Sequence, residues 1–513
     1  MRERLERIIA DRRFRVAAVC AAVALYLALA FASAATKMPE IDEGFFANPA
    51  FNLATKGHMG TTVLETEGSA LRGIREHTYW VLPLHLVWQA GWYKLFGFGI
   101  VQLRSVSVVW GLVALAAWFV IVRRLSGDRA AGLLTAGLLA VDYTFVAVGS
   151  LGRMDMMCAA LGFAGLAAYL ALRERHLGAA VLAGHALVVA SGMTHPNGIL
   201  HLAALVLLTL YFDRRRLRPA HVGLAALPYL CGAAAWGLYI LEDPAAFVEQ
   251  FAMNSRDGGR LAGLKAPWVG FANEFVKRYP HAFGLMANSA GHSGPIYLKA
   301  LLLVPYAAAV AWALVSRRVR TDRNLRALLL VGAVYFIILA LIDGQKETPY
   351  LVHLVPVYVA LLALMLRDVW RGRPAWRPAL VACLAAFLAL EVGGMLLRVR
   401  QRTRQRLYEP AVAFLKENSG GAVEVTGSSS LGFGLDFADG LTDDIRLGQS
   451  SGRRPRFIVI TSDYEQSYAQ SLDRQPDLKR HITTLLADDY REVYRNDGFR
   501  IYERRGREVD SRQ

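Results

Sequence analysis

Two adjacent carboxylates, Asp42 and Glu43, follow directly after the first long apolar run of the chain, in the segment MPEIDEGFF. Neighbouring side chains point in different directions, so these two do not form a ready-made acid and base pair. One of them could still act as a general base towards a hydroxyl group, because burial at a membrane edge raises the pKa of a carboxyl group. An ordinary acidic loop that caps a helix is the alternative interpretation.

A second charged group lies at the outer end of the third and fourth apolar runs, where Asp142 precedes the short segment that carries Arg153 and Asp155. Ionisable residues at membrane depth are costly, so Asp142 is a candidate for substrate binding or a structural partner of Arg153. In a short loop between helices, an arginine can hold a phosphate, and an aspartate can orient the arginine or bind a hydroxyl group. A purely structural role of Arg153 and Asp155 is equally compatible with this pattern.

Further candidates are single residues on the same side of the apolar runs. His195 lies in the segment THPNG, and a lone histidine is more often structural than functional. Lys346 lies in DGQKETPY, just before a run that contains His353, and a lysine at the mouth of a helix bundle suits a phosphate as a point charge. A lysine solvated at the interface is the alternative. Arg72 and Arg75 are additional candidates for anion binding.

The elements that must position these residues are membrane helices. Apolar residues make up 54% of the 513 residues and are concentrated in runs long enough to cross a bilayer about 30 Å thick. The pattern predicts a polytopic α-helical membrane protein with about eleven transmembrane helices. The runs are residues 16–35, 105–122, 130–148, 156–172, 177–193, 198–212, 222–241, 296–315, 325–342, 350–366 and 379–397.

Arginine-rich short loops set the expected orientation. If the basic N-terminus is cytoplasmic, five loops that fall inside each contain several arginines, as the positive-inside rule requires. These loops are residues 123–129, 173–176, 213–218, 317–326 and 367–377. The basic stretch 398–406 falls outside and departs from the rule. We expect an uncleaved first helix in a bacterial inner membrane, and the net charge of +16, placed in such loops, does not indicate nucleic-acid binding.

The same alternation places three longer segments outside the cytoplasm. Residues 36–104 contain an aromatic stretch, 79–98, that we expect to lie in the membrane interface, and residues 242–295 form a second outer loop. From residue 399 the composition becomes mixed, with strand-like runs and an Asn-Asp-Gly turn near residue 497. We therefore predict a transmembrane domain, 1–398, and a small extracytoplasmic α/β domain, 399–513. The four cysteines lie within predicted spans and form no disulfide framework.

The order of these features resembles the integral-membrane glycosyltransferases of the C fold (GT-C), specifically the dolichyl-phosphate-mannose protein mannosyltransferase and lipid A aminoarabinose transferase group. The most specific similarity is an aromatic, proline-containing segment that closes in Lys94-Leu95-Phe96-Gly97 and reaches Arg104. The other similar elements are Asp42-Glu43, Arg153-Met154-Asp155 and the block from Lys346 through Tyr350 to Pro356. Two departures are Thr78-Tyr79, where many relatives carry Pro-Pro, and Thr194-His195-Pro196, where they carry Thr-Lys-Gly or Thr-Lys-Pro.

The resemblance implies an enzyme that moves a sugar from a polyprenyl-phosphate donor to an extracytoplasmic lipid, glycan or protein, with inversion at the anomeric carbon. It implies that Asp42 is the base, with Glu43 beside it, and that Lys346 and Arg153 neutralise the departing phosphate. The residues expected to bind substrate are Asp155, His195, Tyr350, His353 and Asp142. Asp42, Glu43 and Asp155 carry oxygen ligands that Mg²⁺ or Mn²⁺ would accept, although no spacing predicts a cation site.

Other functions remain open at this level. A transporter or flippase of lipid-linked sugars or other solutes also needs many spans and intramembrane charges, but the chain shows no inverted repeat and its charges cluster at one surface. A ligase that uses a diphosphate-linked donor and a catalytically inactive scaffold are further alternatives. We find no dinucleotide-binding glycine pattern and no P-loop, so we expect no nucleotide-sugar machinery.

Overall fold

The computed structural model describes residues 11–68, 71–257, 259–286, 296–420 and 422–505. Residues 1–10, on which the expected orientation partly rests, lie outside the described residues. The same holds for residues 287–295 of the second predicted outer loop and for residues 506–513 at the end of the predicted C-terminal domain.

Helices form most of the described chain before the C-terminal domain. In chain order they are α1 (Arg12–Thr36), α2 (Ile41–Thr55), α3 (Pro83–Phe96), α4 (Ile100–Ser126), α5 (Arg129–Leu139), α6 (Tyr143–Gly149), α7 (Asp155–Leu172), α8 (Leu177–Gly192), α9 (Gly198–Asp213), α10 (Pro219–Ile240), α11 (Pro244–Ala252), α12 (Ala262–Lys265), α13 (Pro267–Asn273), α14 (Tyr279–Ala282), α15 (Leu303–Val315), α16 (Arg317–Thr321), α17 (Arg323–Ile342), α18 (Val355–Gly372) and α19 (Arg377–Arg400). Short 3₁₀ segments precede α15 and α18, at Tyr297–Leu302 and Thr348–His353, and a π-helical segment occupies Glu274–Arg278.

Eight helical segments among the described residues are long and apolar enough to cross a membrane. A ninth results if α5 and α6, which meet at a bend of 64°, form one broken span, and α8 and α9 are shorter apolar helices. Each of the eleven predicted runs therefore coincides with an apolar helix or helix pair, while the number of true crossings stays a prediction. The predicted fold class, a polytopic helical membrane protein with a small C-terminal sheet domain, is confirmed.

Local signals in the sequence explain where key helices begin and end. Asp128 caps α5 by accepting hydrogen bonds from the amides of Ala130 and Ala131, and Gly127, at φ +67°, ends α4 in the left-handed conformation that favours glycine. Asp142 caps α6 by accepting from the amide of Phe145 at 2.7 Å. Proline stands in the first turn of α3, where its missing N–H leaves no helical hydrogen bond unmade.

The aromatic outer stretch becomes α3, a helix of 14 residues, too short to span a membrane alone. Leu95 and Phe96 at its end are exposed, and Trp88 on its side is half-exposed. These apolar surfaces agree with a position in the membrane interface, and that position stays a prediction.

The C-terminal domain is a five-stranded mixed sheet with helices packed on it. Its strands are β1 (Val425–Thr426), β2 (Leu441–Thr442), β3 (Phe457–Thr461), β4 (Tyr490–Arg495) and β5 (Phe499–Arg504), in the order β2-β1-β3-β5-β4, and its helices are α20 (Glu409–Asn418), α21 (Gly432–Leu435), α22 (Ser462–Ser471) and α23 (Pro476–Thr484). The final β4–β5 hairpin turns at residues 496–498, as the sequence predicts. The predicted boundary at residue 399 falls within the last turn of α19.

The C-terminal domain packs directly on the first outer loop. Leu64 of that loop forms a parallel bridge with Asp443, and the amide of Asp443 donates to the carbonyl of Val63 at 2.7 Å. One apolar core joins Ala47 and Ala50 of α2 to the sheet of the C-terminal domain. This shared core fixes α2, and with it Asp42, between the membrane helices and the C-terminal domain.

Candidate active site

Glu43 is the structural member of the acidic pair. Its side chain is fully buried and forms a bidentate ion pair with Arg104, with Nε–Oε1 at 2.8 Å and Nη2–Oε2 at 2.7 Å. Glu43 also accepts from the amide of Gly152 at 2.6 Å and from the amide of Glu40 at 2.9 Å, which closes a capping box at the start of α2. Because both oxygens are engaged, Glu43 positions the site, and its expected catalytic role stays a prediction.

Arg104 connects the elements that surround Glu43. Its remaining N–H groups donate to the carbonyls of Ala34, Lys37 and Met38, at 2.7 to 3.0 Å. One buried guanidinium thus links the end of α1, the start of α2 and its own helix, α4.

Asp42 lies on a different side of the same helical turn. Its side chain keeps 38% of its exposure and forms an ion pair with Arg153 Nη1. Arg153 also donates from Nε to Asp155 Oδ2 at 2.9 Å, so it bridges the two aspartates. Asp155 is buried at the start of α7, and its second oxygen, Oδ1, has no hydrogen-bond partner among the described residues.

A histidine, a tyrosine and an arginine from three other segments form the next part of the site. Tyr350 Oη lies 3.2 Å from His195 Nε2 and accepts from Arg260 Nη1 at 3.1 Å. His195 Nδ1 accepts from the amide of Asn197 at 3.1 Å, which leaves the proton on Nε2. Burial, together with the charges of Arg260 and Arg153, lowers the pKa of His195 to about 4, so its imidazole is neutral at physiological pH.

Arg260 is a site residue that the sequence did not reveal. It lies before α12 in a segment without a recognisable motif, and its Nε finds no hydrogen-bond partner among the described residues although it is buried. The amide of Gly344 donates to the Arg260 carbonyl at 2.7 Å, which holds the second outer loop to the segment between α17 and α18. Arg153 and Arg260 bring two guanidinium groups to the same site, since both interact electrostatically with Tyr350.

His353 is fully buried beneath this layer. Its Nδ1 lies 3.1 Å from His201 Nε2, and His201 Nδ1 lies 2.6 Å from Tyr335 Oη. His353 Nε2 has no partner in the described part of the chain. Asp155 interacts electrostatically with both His195 and His353, so the three residues face a common region.

Lys346 is differently placed from the phosphate ligand that the resemblance implies. Its Nζ is buried and donates to Glu274 Oε1 and to the carbonyl of Ala340, both at 2.8 Å. Arg278 completes the network by pairing with Glu274 at 3.0 Å and with Asp343 at 2.8 Å. Lys346 could reach a phosphate only after leaving Glu274, and its donor-binding role stays a prediction.

Asp142, Arg72 and Arg75 lie outside this constellation. Asp142 accepts from the hydroxyl of Tyr306, which lies 3.1 Å from Glu391, in a separate buried cluster beside α19. The side chains of Arg72 and Arg75 form no hydrogen bond or ion pair with any described residue. Their expected roles in substrate and phosphate binding therefore gain no support from geometry.

The C-terminal domain contributes two residues to the outer side of α2. Ser429 Oγ donates to the carbonyl of Ile41 at 3.0 Å, and the Asp463 carboxylate accepts from the Ile41 amide. Burial, followed by the negative charges of Glu40 and Asp42, raises the pKa of Asp463 to about 6. No sequence pattern indicated Asp463, because only the folded chain brings α22 to α2.

The carboxylates do not fit a divalent cation in this arrangement. Glu43 is committed to Arg104, and Arg153 occupies the space between Asp42 and Asp155. Within the described ranges, no group of three or more histidine, cysteine, aspartate or glutamate side chains is arranged to hold a metal ion.

The chain is similar to one known protein family and to solved membrane-protein structures. Residues 81–239 match the family model described as dolichyl-phosphate-mannose-protein mannosyltransferase. The structure of ArnT from Cupriavidus metallidurans bound to undecaprenyl phosphate is similar with a TM-score of 0.59 and 17% identity, over 94% of this chain and 97% of that chain. The chain has the GT-C fold. The resemblance to the protein mannosyltransferase and aminoarabinose transferase group is thereby confirmed.

A second solved protein shares the GT-C fold over nearly the whole chain. The oligosaccharyltransferase from Archaeoglobus fulgidus in its apo form is similar with a TM-score of 0.59 and 13% identity, over 97% of this chain and 75% of that chain. The same archaeal protein in complex with an inhibitory peptide and a dolichol-phosphate gives a TM-score of 0.57 at 13% identity, over 97% of this chain and 75% of that chain. No curated protein matches the chain by sequence.

Proposed function

We propose that this protein transfers a sugar from a polyprenyl-phosphate donor to an acceptor on the extracytoplasmic side of the membrane, with inversion and with Asp42 as the general base. The observation that carries the proposal is the open side of Asp42 beside Arg153, at the junction of α1, α2 and the α6–α7 hairpin. The similar structures of ArnT and of the archaeal enzyme contain undecaprenyl phosphate and dolichol-phosphate, which supports the same class of donor here.

The chemical step follows from the charges at the site. The acceptor oxygen attacks the anomeric carbon while its proton passes to an Asp42 oxygen, and the bond from that carbon to the phosphate oxygen breaks with its electron pair. The departing polyprenyl phosphate gains negative charge, which a guanidinium stabilises more strongly than it stabilises the bound donor. Arg153 and Arg260 are the cations that we assign to this phosphate.

Arg153 also gives a means of coupling donor binding to the base. Its Nε is held by Asp155, so its Nη1 can turn from Asp42 to an arriving phosphate without the side chain losing its anchor. Asp42 would then be released to accept a proton from the acceptor. We place the protein in the inner membrane, with a cytoplasmic N-terminus and the catalytic surface outside.

The test is turnover of a panel of polyprenyl-phosphate sugars by purified protein in detergent. Wild type should release polyprenyl phosphate, and Asp42→Asn should lose this activity by about 100-fold or more, as expected for removal of a general base. The matched control is Asp439→Asn, which changes an exposed aspartate of the C-terminal domain and should turn over at the wild-type rate. Full activity in Asp42→Asn would contradict the assignment of the base.

The transporter alternative has a distinct outcome. If wild type releases polyprenyl phosphate from no donor and instead moves a lipid-linked sugar or a solute across proteoliposomes, the transferase proposal is wrong. No contact in the described residues favours this alternative, because the bridged carboxylates and arginines lie at one end of the helix bundle.

A further inference from the structure

Helix α3 carries a buried polar stripe that the proposed mechanism does not use. His85, Gln89 and Tyr93 recur every four residues and therefore lie on one face of the helix. His85 and Gln89 are fully buried, and Tyr93 is 5% exposed. Both ring nitrogens of His85 lack hydrogen-bond partners among the described residues, and the Gln89 amide and the Tyr93 hydroxyl have no partner there beyond each other.

Such a stripe is unfavourable unless something else binds to it. Folded proteins satisfy the large majority of buried polar side-chain atoms, and a buried polar group left without a partner destabilises the fold. Gln250, the other fully buried glutamine near this region, shows the usual arrangement. It accepts from the amide of Tyr79 at 2.8 Å and donates to the carbonyls of Arg72 and His77 at 2.9 and 3.0 Å.

The start of the stripe faces the candidate active site. His85 interacts electrostatically with Asp155, and the amide of Leu84 donates to the carbonyl of Met193, which joins α3 to the hairpin of His195. Two unpartnered atoms described above, Asp155 Oδ1 and His353 Nε2, belong to residues that interact with each other in this region. Leu86 and Met154, the chain neighbours of His85 and Asp155, pack in one buried apolar cluster, so unsatisfied polar atoms of α3 and α7 lie in the same region of the fold.

We infer that His85 and Gln89, together with Asp155 and His353, form the subsite that hydrogen-bonds the hydroxyl groups of the donor sugar. This inference rests on the proposed function. A sugar hydroxyl both donates and accepts, and so do a neutral imidazole and an amide. Burial lowers the pKa of His85 to about 4, which keeps its ring neutral. The Asp155 carboxylate would repel a phosphate, so the phosphate belongs with Arg153 and Arg260 instead.

The experiment compares Gln89→Leu with Gln250→Leu, the same substitution at two fully buried glutamines. We would measure thermal stability without ligand, and binding of polyprenyl phosphate and of polyprenyl-phosphate mannose, glucose and aminoarabinose. Gln89→Leu removes at most the contact with the Tyr93 hydroxyl, so its melting temperature should stay close to that of wild type, whereas Gln250→Leu loses three hydrogen bonds and should melt lower. Gln89→Leu should bind bare polyprenyl phosphate normally and the sugar-linked donor about tenfold more weakly.

His85→Leu is the second variant and should show the same selective loss. If either stripe variant binds the sugar-linked donor as tightly as wild type does, the sugar subsite is overturned while the proposed function stands. A drop in melting temperature of Gln89→Leu as large as that of Gln250→Leu also overturns the subsite, because it assigns the stripe to the fold. If wild type binds no polyprenyl-phosphate sugar, the proposed function fails and the subsite fails with it.

Discussion

Asp42 and Glu43 show at the scale of single residues how the environment divides two identical chemical groups between two roles. Glu43 is enclosed by Arg104 and two backbone amides, so breaking its ion pair would leave a buried charge and destabilise the fold by about 3–5 kcal/mol. Asp42 has one ionic partner and an open side. A base must be able to exchange its partner for a substrate, and only Asp42 can do so without disrupting the fold.

Asp463 gives a prediction at the same scale. Its pKa is raised to about 6 in the folded protein, above the ordinary value of 3.8, so the folded state binds its proton more tightly than the unfolded chain does. The free energy of unfolding of wild type, relative to that of Asp463→Asn, should therefore fall as the pH rises from about 4 to about 6.

The measurement is the difference in melting temperature between wild type and Asp463→Asn at pH 4.5 and at pH 7.5. Taking the difference between the two proteins removes the contributions of titrating groups that do not interact with Asp463. A difference that is the same at both pH values would show that the pKa of Asp463 is not raised in the folded protein.

At the scale of elements, α2 is the part of the structure on which the site depends. Its first turn carries Asp42 and Glu43, and the C-terminal domain packs directly against the same turn at Gly44. A Cβ on Gly44 would lie 2.4 Å from the carbonyl carbon of Ser429, closer than nonbonded atoms approach. The absence of a side chain at Gly44 is therefore what allows the C-terminal domain to dock on α2.

Gly44→Ala tests this contact. We expect the C-terminal domain to dock less firmly, which should lower the melting temperature, speed limited proteolysis near residues 429–431 and reduce turnover. The control is Gly91→Ala on α3, where a Cβ meets nothing within 4 Å and alanine should be neutral or stabilising by about 0.5–1 kcal/mol. Equal behaviour of the two variants would mean that the close approach at Gly44 is not required.

At the scale of the whole molecule, the candidate active site combines parts that are distant in the chain. The first outer loop, the α6–α7 and α8–α9 hairpins and the segment before α18 meet at one end of the bundle, and the C-terminal domain covers α2 from outside. The outward orientation of this end is a prediction from the arginine-rich loops. The predicted positions of the outer and inner segments can be tested by labelling single cysteines in intact cells.

Arg474→Cys in the C-terminal domain should react with a membrane-impermeant thiol reagent added to intact cells, because we place this exposed residue outside. Arg215→Cys, in a loop that we place inside, should react only after the membrane is permeabilised. The native cysteines lie in apolar helices, and the unmodified protein gives the background labelling. If only Arg215→Cys is labelled in intact cells, the protein has the opposite orientation to the predicted one.

The sequence by itself determined the helical membrane class, the apolar helices, the C-terminal sheet domain and the GT-C resemblance. These follow from run length, charge asymmetry and short motifs, which are properties of neighbouring residues. It also identified Asp42, Arg153, Asp155, His195 and Tyr350, which the structure brings into one connected group. The order of the motifs along the chain was enough for that, because the segments that carry them all lie at the same end of the helix bundle.

Only the tertiary structure decided which of these residues are available for chemistry. The sequence could not show that Glu43 is enclosed by Arg104, that Lys346 is held by Glu274, or that Asp142 belongs with Glu391. It also gave no sign of Arg260, Asp463 or the buried polar stripe of α3. Whether a side chain can bind substrate depends on the partners that distant segments supply. A buried polar group that lacks a partner can be recognised only when the whole chain is packed.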